Sequence, residues 1–492
     1  MGEYRRRARE GVLHQALGEG VGGLREEAEA LGGLPRFLLS EVSRLRRCGL
    51  LEFGYVLVKC PTCGDTTEVP FSCKSRLCPS CSARRAHETA VHLVEEVLPH
   101  VPYRQWTVSF PYAIRWRLVK ERGLLEELLR KTTRLVAAWQ RRCARKLGAQ
   151  GRLLTGAVTQ VQYWGSALQL SPHFHTLVPD GVFVTTEAGV DFVALPPPTP
   201  DEVANLVAQL ARRVKKVLRK RGLEDTDAQV DDGLDALRLE SLQQSLALGN
   251  VRPAADAEAE VRPHHRRVAM ADGISLHADT AVRVNDRQGL EQLCRYGARG
   301  PLAESRLSRR DDGKLSYRMK RPVRGRDVLV MTPLQLLKKL AAVTPPRGKH
   351  LVHFHGMFAP AASHRSAVVA YGRPPPPAAP VAPQASLPLT PAPFEPRPRP
   401  PRLDWATLLR KTFGFAVLHC PCGARRVVLA ALTDWAQIDE ELRKRGLEPS
   451  LRPTAMPRHH VPRQAELALD LSALPSPRSH SPPRLPELAL AS

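Results

Sequence analysis

Five cysteines crowded between Cys60 and Cys81 constrain the fold of this chain more than any other sequence feature. The stretch is CPTCGDTTEVPFSCKSRLCPSC and contains two Cys-x-x-Cys pairs. Each pair places two thiolates on one tight turn, at the spacing that tetrahedral zinc requires. We therefore predict a zinc-ribbon-like module, followed by a helix. The predicted zinc ligands of this module are Cys60, Cys63, Cys78 and Cys81.

Alternatives remain for the cysteines. Cys73 is a fifth candidate, which either substitutes for one of the four ligands or packs as a small apolar residue. A redox-active pair is the weaker interpretation, because one reactive pair would not need a duplicate. A later pair, Cys420 and Cys422 beside His419, is only half a site. There we expect a turn with buried thiols rather than a second zinc.

Basic residues outnumber acidic ones in this chain. Its 492 residues include 73 Lys and Arg against 49 Asp and Glu, a formal net charge of +24. This balance is typical of nucleic-acid-binding proteins, although a high-arginine proteome produces it too. Basic residues around the cysteine pairs contact DNA phosphates or form a solvated face: Lys74, Arg76, Arg84 and Arg85. No apolar run approaches a membrane span, and the amino terminus lacks a signal-peptide stretch, so we expect a soluble cytoplasmic protein.

Composition and hydrophobic periodicity divide the chain into segments. The central region mixes strand-like and helix-like stretches and has no glycine-rich phosphate loop. The predicted segments are an N-terminal helical region (1–54), the cysteine module with its helix (55–100), a catalytic domain (101–372) with a variable insertion near 196–262, a Pro-rich linker (373–402), a small C-terminal region (403–450) and a disordered tail (451–492).

The triplet His-Phe-His occurs twice, at 173–175 and at 353–355. In a strand, residues i and i+2 point the same way, so both histidines of one triplet would face one metal. A bare triplet is weak evidence, because a strand histidine is more often satisfied by hydrogen bonds. The first copy lies between apolar runs in the middle of the mixed region, whereas the second lies next to the Pro-rich segment. On position alone we favour His173 and His175 as metal ligands.

The stretch DRQGLEQLCRYGARGPL predicts a helix near 286–297, with Asp286 as its N-cap. Gln292, Tyr296 and Arg299 share one face of that helix, one turn apart. This face offers a neutral metal ligand, a nucleophile and a phosphate-binding guanidinium. An ordinary polar helix face is the alternative, and the His-x-His strand makes the combination specific.

Several long motifs, in the right order, resemble the rolling-circle transposases of bacterial insertion sequences, within the HUH (His-hydrophobe-His) superfamily of single-strand DNA endonucleases. The motifs lie between 34 and 447 and are FSCKSRLCPSC, RQWTVSFPY, GSALQLSPHFHTLVPDGVF, LEQLCRYGARGPLAESRLS, HLVHFHGMFAP and HCPCG. The resemblance implies an α+β catalytic fold built on an antiparallel RRM-like or ferredoxin-like sheet. It places the histidine pair on a central strand and the tyrosine on a helix beside it.

The resemblance also implies which residues form the site. The metal-binding pair of the family falls just before LVPDGVF, which matches His173 and His175, and relatives usually retain only the match to His355 in the later motif. Two-tyrosine members carry a second tyrosine one turn before the position of Tyr296. This chain has Gln292 there. It therefore resembles the single-tyrosine branch, typified by the common-region insertion sequences.

The implied activity is cutting and rejoining of single-stranded DNA at the ends of a mobile element, with Mg²⁺ or Mn²⁺ at the histidines and a structural Zn²⁺. Tyr296 would attack the scissile phosphate with help from Arg299, leaving a 5′-phosphotyrosine and a free 3′-hydroxyl. For the third metal ligand we favour Gln292 over His277, which lies in the strand-like stretch ISLHA.

The implied partner is DNA, mainly single-stranded element ends, in the bacterial nucleoid. A homo-oligomer is left open, and no membrane partner is expected. Two alternatives are a zinc-ribbon DNA-binding protein with an inactive catalytic domain and a replication-initiator or relaxase-like nicking enzyme. Intact candidate catalytic residues argue against the first, and the cysteine module argues against the second.

Overall fold

The computed structural model describes residues 11–187, 189–224, 230–247, 267–323, 325–346, 348–373, 403–444 and 446. They form two compact units. The first unit draws on Met1–Leu50 and Ser72–Arg402, and the second on Leu51–Phe71 and Leu403–Ser492. Apart from its first residue, the predicted linker at 373–402 lies outside the described residues, and so does the predicted tail at 451–492.

Helices and strands are numbered along the chain. The helices are α1 Val12–Glu29, α2 Arg36–Arg46, α3 Pro79–His92, α4 Tyr112–Lys120, α5 Leu124–Lys146, α6 Pro200–Lys220, α7 Gly233–Ala247, α8 Arg287–Ala298, α9 Pro333–Ala342, α10 Arg365–Ala370, α11 Trp405–Phe413 and α12 Trp435–Lys444. The strands are β1 Tyr55–Lys59, β2 Thr66–Pro70, β3 Tyr103–Ser109, β4 Leu153–Leu154, β5 Gly156–Trp164, β6 Leu170–Pro179, β7 Gly181–Thr186, β8 Gly189–Ala194, β9 Val268–Ala271, β10 Ile274–Val282, β11 Leu307–Arg309, β12 Leu315–Val323, β13 Arg326–Met331, β14 Val352–Gly356 and β15 Val427–Leu432.

A six-stranded antiparallel sheet lies at the centre of the first unit, in the order β14-β5-β6-β3-β10-β9. Strand β5, second from one edge of this sheet, is buried along its whole length, because both faces of the sheet are covered. One face packs on α4, α5 and α6 through residues such as Trp106 and Phe174. The other packs on α8 and a π-helical turn at Leu93–Val97 through residues such as Tyr103 and Leu177.

The region predicted as a variable insertion near 196–262 contributes core helices instead. Helix α6 starts with a capping box formed by Thr199 and Glu202, and its apolar stripe packs into the main core. Helix α7 also buries leucines, including Leu234 and Leu237. The basic residues of α6 obscure this core role in the sequence. Its apolar residues nevertheless repeat at helical spacing, which indicates a buried stripe. Residues 225–229 and 248–262 of that region lie outside the described part.

The second unit is built from two distant stretches of chain. Strand β1 lies between β15 and β2 in a three-stranded antiparallel sheet. Alternate residues of β1 face opposite sides, so Val56 and Val58 pack in the core that includes Leu409 of α11. Tyr55 and Leu57 pack in the core that includes the buried residues of α12.

This pairing changes the predicted domain limits. The cysteine module predicted at 55–100 is divided between the two units, and the region at 403–450 is hydrogen-bonded to β1 rather than standing alone. The fold as a whole is mixed α+β with antiparallel sheets. Within the described residues, every helix is too short or too polar to cross a membrane.

Candidate active site and metal centres

His173 and His175 lie on β6 and turn their rings to the same point. Their Nε2 atoms are 3.1 Å apart. Ligands at adjacent corners of a metal centre are about 2.9 to 3.4 Å apart when each metal–nitrogen bond is about 2.1 Å long. His175 is 7% exposed. The pair thus has the spacing and burial that a bound cation needs.

A hydrogen bond sets the ring tautomer of His173, and the contact of His175 is compatible with the same tautomer. Nδ1 of His173 donates to the Ser171 carbonyl at 2.7 Å, which leaves Nε2 unprotonated. Nδ1 of His175 lies 3.3 Å from the Thr107 hydroxyl, which can accept its proton. Burial, together with the positive charge of Arg115, lowers the pKa of His173 to about 4. The His173 ring is therefore neutral at pH 7, as a metal-binding imidazole must be.

Helix α8 places Tyr296 beside this pair. The ring centroids of Tyr296 and His175 are 5.7 Å apart. A guanidinium nitrogen of Arg299 lies 3.4 Å from the phenol oxygen and donates to it. Nζ of Lys320, on β12, lies 3.8 Å from the centroid of the tyrosine ring. Two cations therefore surround the candidate nucleophile, and Lys320 was not anticipated from the sequence.

Two glutamines of β5 hold the carboxyl end of α8 against the sheet. Nε2 of Gln160 donates to the carbonyl of Cys294 at 2.8 Å. Nε2 of Gln162 donates to the carbonyls of Tyr296 and Gly297 at 2.9 and 2.8 Å. The amide of Gln162 thereby satisfies two carbonyls of the last turn, where helix carbonyls have no partner inside the helix. A Cβ at Gly297 would lie 1.7 Å from Oε1 of Gln160, so glycine is required for the close approach.

These glutamines were not predicted from the sequence. Gln160 pairs in register with His175, and Gln162 with His173, so all four side chains lie on one face of the sheet. The available signal was the segment VTQVQYW, which places two amides on the same side of an otherwise apolar strand. Buried amides need partners, and here the partners are on the tyrosine helix.

We expect Gln162→Met to loosen α8, because it leaves two helix carbonyls without their donor at nearly constant volume. The loss should lower the free energy of unfolding of the first unit by about 1–3 kcal/mol. Hydrogen exchange of the last turn of α8 should accelerate. Gln209→Met on the exposed side of α6 is the matched control, and denaturant titration measures both variants. Equal midpoints for the two variants would contradict a bracing role for Gln162.

The two candidates for a third metal ligand lie in different settings. Gln292 is exposed on α8, one turn before Tyr296. His277 lies on β10 and faces the same side as His175, because both pair in register with Thr107. Neighbouring strands are about 4.8 Å apart, so the backbones of His277 and His175 are separated by about 10 Å.

The second histidine triplet faces the opposite side of the sheet. His353 and His355 pair in register with Thr159 and Ala157 of β5, which alternate with Gln160. They line a cleft of about 430 Å³ beside α5. The two triplets therefore cannot share one metal ion, and Tyr296 lies on the side of the first.

The cysteines form two groups of four, and the grouping differs from the prediction. One group is Cys48, Cys73, Cys78 and Cys81, and the other is Cys60, Cys63, Cys420 and Cys422. The two Cys-x-x-Cys pairs do not share a site, because the chain passes from the second unit into the first between them. The predicted substitute, Cys73, joins the first group. Cys48 was missed, because nothing in its local sequence resembles a metal-binding turn.

The first group fits tetrahedral zinc. Sγ of Cys48 is 3.8 Å from that of Cys81 and 3.4 Å from that of Cys78, and Sγ of Cys73 is 3.5 Å from that of Cys81. Zinc–sulfur bonds of about 2.3 Å place sulfurs about 3.8 Å apart. Cys78 precedes α3 and Cys81 lies in its first turn. This helix packs against α8, where Nε2 of His87 lies 3.2 Å from the Glu291 carboxylate.

Two of the basic residues around the cysteines, Arg76 and Arg85, have intramolecular partners. Arg76 donates to the carbonyls of Pro346 and Lys349 at 2.9 and 3.1 Å. Arg85 donates to the carbonyl of Lys74 at 3.1 Å. Arg76 therefore secures the chain that follows α9, whereas the sequence left open a contact with DNA phosphates or a solvated face.

Comparison with known families matches the two parts of the chain that carry these sites. Residues 156–366, which include the histidine strand and the tyrosine helix, match a family model described as "Putative transposase". Residues 25–110 match an IS91-type model described as "Transposase zinc-binding domain". No curated protein and no solved structure matches the chain. The chain thus carries a transposase domain and an IS91-type transposase zinc-binding domain, which together support a DNA transposase.

Proposed function

We propose that the chain is a single-tyrosine transposase of the HUH type, which nicks and rejoins single-stranded DNA at element ends in rolling-circle transposition. The observation that carries this proposal is the position of Tyr296, 5.7 Å from His175 between ring centroids and flanked by Arg299 and Lys320. Gln292 occupies the position one turn earlier, where a second tyrosine would lie. Because glutamine stands there instead of a second tyrosine, each chain has one nucleophile.

His173 and His175 would hold Mg²⁺ or Mn²⁺, and a cation bound there supplies polarisation of the scissile phosphate. The phenol oxygen of Tyr296 attacks the phosphorus and loses its proton to water, and the bond from phosphorus to the 3′-oxygen breaks. That oxygen takes up a proton and becomes a free 3′-hydroxyl. Arg299 and Lys320 stabilise negative charge on the phenol oxygen and on the phosphate. Gln160 and Gln162 hold the nucleophile in position through its helix.

The same residues serve the joining step. The phosphotyrosine bond conserves the energy of the cleaved phosphodiester, so a 3′-hydroxyl can attack it and release Tyr296 without ATP. The net charge of +24 supports DNA as the partner and a location at the nucleoid. Single-stranded DNA is favoured, because the histidine and tyrosine motifs resemble those of single-strand DNA endonucleases.

The proposal is tested with single-stranded oligonucleotides that cover the DNA on both sides of the gene. A 5′-phosphotyrosine places the DNA 3′ of the cut on the protein. A 3′-end label should therefore migrate with the protein in a denaturing gel, and a 5′-end label should stay free. An inactive catalytic domain would give neither species, and transfer of the 5′-end label would reverse the assigned polarity.

Among the candidates for the third metal ligand, we propose Gln292 ahead of His277. Gln292→Ala should raise the metal concentration needed for half-maximal cleavage by about 10-fold or more while DNA binding is unchanged. His277→Ala should raise it less, and Gln288→Ala, one turn earlier on the same helix, should leave it unchanged. Cleavage at varied Mn²⁺ concentrations measures all three. A shift in the His277 variant alone would move the ligand from α8 to β10.

A further inference from the structure

We propose that Cys60, Cys63, Cys420 and Cys422 bind a second zinc ion, so that the chain holds two. All four sulfurs lie within 4.8 Å of one another. Sγ of Cys60 is 3.5 Å from that of Cys422, and Sγ of Cys63 is 3.5 Å from that of Cys420. These separations approach the roughly 3.8 Å of a tetrahedral zinc–thiolate centre. Cys420 and Cys422 lie outside both stretches that match a family model.

Both pairs sit on turns of the same design. The amide of Cys60 donates to the carbonyl of Asp65 at 2.8 Å, and that of Cys420 donates to the carbonyl of Ala424 at 2.9 Å. In each turn a glycine follows the second cysteine and has a positive φ, 74° at Gly64 and 90° at Gly423. Glycine adopts this conformation without strain, and it turns the chain so that both thiols point to one side. The sequence shows one turn as Cys-x-x-Cys and the other as Cys-x-Cys, which hides their likeness.

The surroundings hold the two turns together around the four sulfurs. Arg426, buried near the second turn, forms an ion pair with Asp65 of the first. Beyond the turns, β1 and β15 pair from Tyr55 opposite Leu432 to Lys59 opposite Val427. Cys60 and Cys420 are buried, whereas Cys63 and Cys422 are exposed. The site is therefore a surface metal clamp that joins residues about 360 positions apart in the sequence.

The clamp explains why the second unit can be assembled from two short stretches. Its two apolar cores are small, and small units commonly need a metal or disulfides to be stable. Structural zinc supplies roughly 10–16 kcal/mol of apparent binding free energy in small modules. The crowded cysteine stretch at 60–81 thus supplies two ligands to one zinc site and three to another, rather than forming one complete site.

Elemental analysis of the full chain, purified without added zinc under reducing conditions, tests the proposal. We expect two zinc ions per chain in the unmodified protein and one in Cys422→Ser. Cys78→Ser should also retain one, because it removes the other ion. The control is Cys143→Ser, which changes a cysteine outside both groups and should retain two. One zinc in the unmodified chain and an unchanged count in Cys422→Ser would overturn the proposal.

A conservative variant separates metal binding from a purely structural need for the thiol. Cys422→His should keep the second zinc, because three cysteines and one histidine form a common zinc site. Cobalt substitution should give the absorption of a tetrahedral thiolate complex, and Cys422→Ser should lose part of it.

Two disulfides are the competing arrangement of these sulfurs. Intact mass under native, non-reducing conditions would then be lower by two hydrogens per bond, and that result would also overturn the proposal.

Discussion

Tyr296→Phe should abolish the covalent protein–DNA adduct while single-strand binding changes by less than about 2-fold. The substitution removes only the nucleophilic oxygen, so the loss should be at least about 10³-fold, as for other covalent nucleophiles. The ring remains in contact with His175, and the cations of Arg299 and Lys320 keep their places over it. Denaturing gels measure the adduct, and filter binding measures the affinity for the same oligonucleotide.

Tyr371→Phe is the matched control for the nucleophile. Its ring packs on Phe183 and Phe192, and its hydroxyl has no role in the proposed chemistry. It should form the adduct at the normal rate. An adduct that persists in Tyr296→Phe would show that another side chain attacks the phosphate. An adduct lost equally in both variants would indicate that the assay reports folding.

Replacement of the first histidine pair should have the second large effect. His173→Ala and His175→Ala should each lower metal-dependent cleavage by at least about 100-fold, because each removes a nitrogen that faces the same point. Cleavage should recover partly at high Mn²⁺ concentration in the single variants and not in the double variant. A titration of cleavage rate against metal concentration, with DNA binding measured in parallel, provides the readout.

The second triplet gives an internal control of the same residue type. His353 lies on the opposite face of the same sheet, so His353→Ala should change cleavage by less than about 3-fold. His353→Ala should also change the free energy of unfolding only slightly, since β14 is an edge strand. Comparable losses from His353→Ala and His173→Ala would contradict the assignment of the metal site to β6.

Helices and strands around the candidate site could be predicted from the sequence where residues close together in the chain define them. Helix α8 lies within one residue of its predicted limits, and the side chain of Asp286 accepts from the amide of Gly289 as an N-cap. The stretch from Gly156 to Thr186 contains three strands, β5, β6 and β7. The break between β6 and β7 rests on a single residue, Asp180, too short an interruption for apolar periodicity to reveal.

Residue spacing along the chain defines the chemistry that is available: histidines two residues apart on a strand, a tyrosine and an arginine three residues apart at the end of a helix, and cysteine pairs at metal-binding spacing. These are short-range features, because residue spacing within one helix or strand sets the direction of each side chain. Tertiary structure decided which groups meet. The register of β5 against β6 put Gln160 and Gln162 on the face of His173 and His175, and the order of the strands put His353 on the other. Partners of this kind are far apart in sequence, as Cys60 and Cys422 are, and only the packing of the folded chain brings them together.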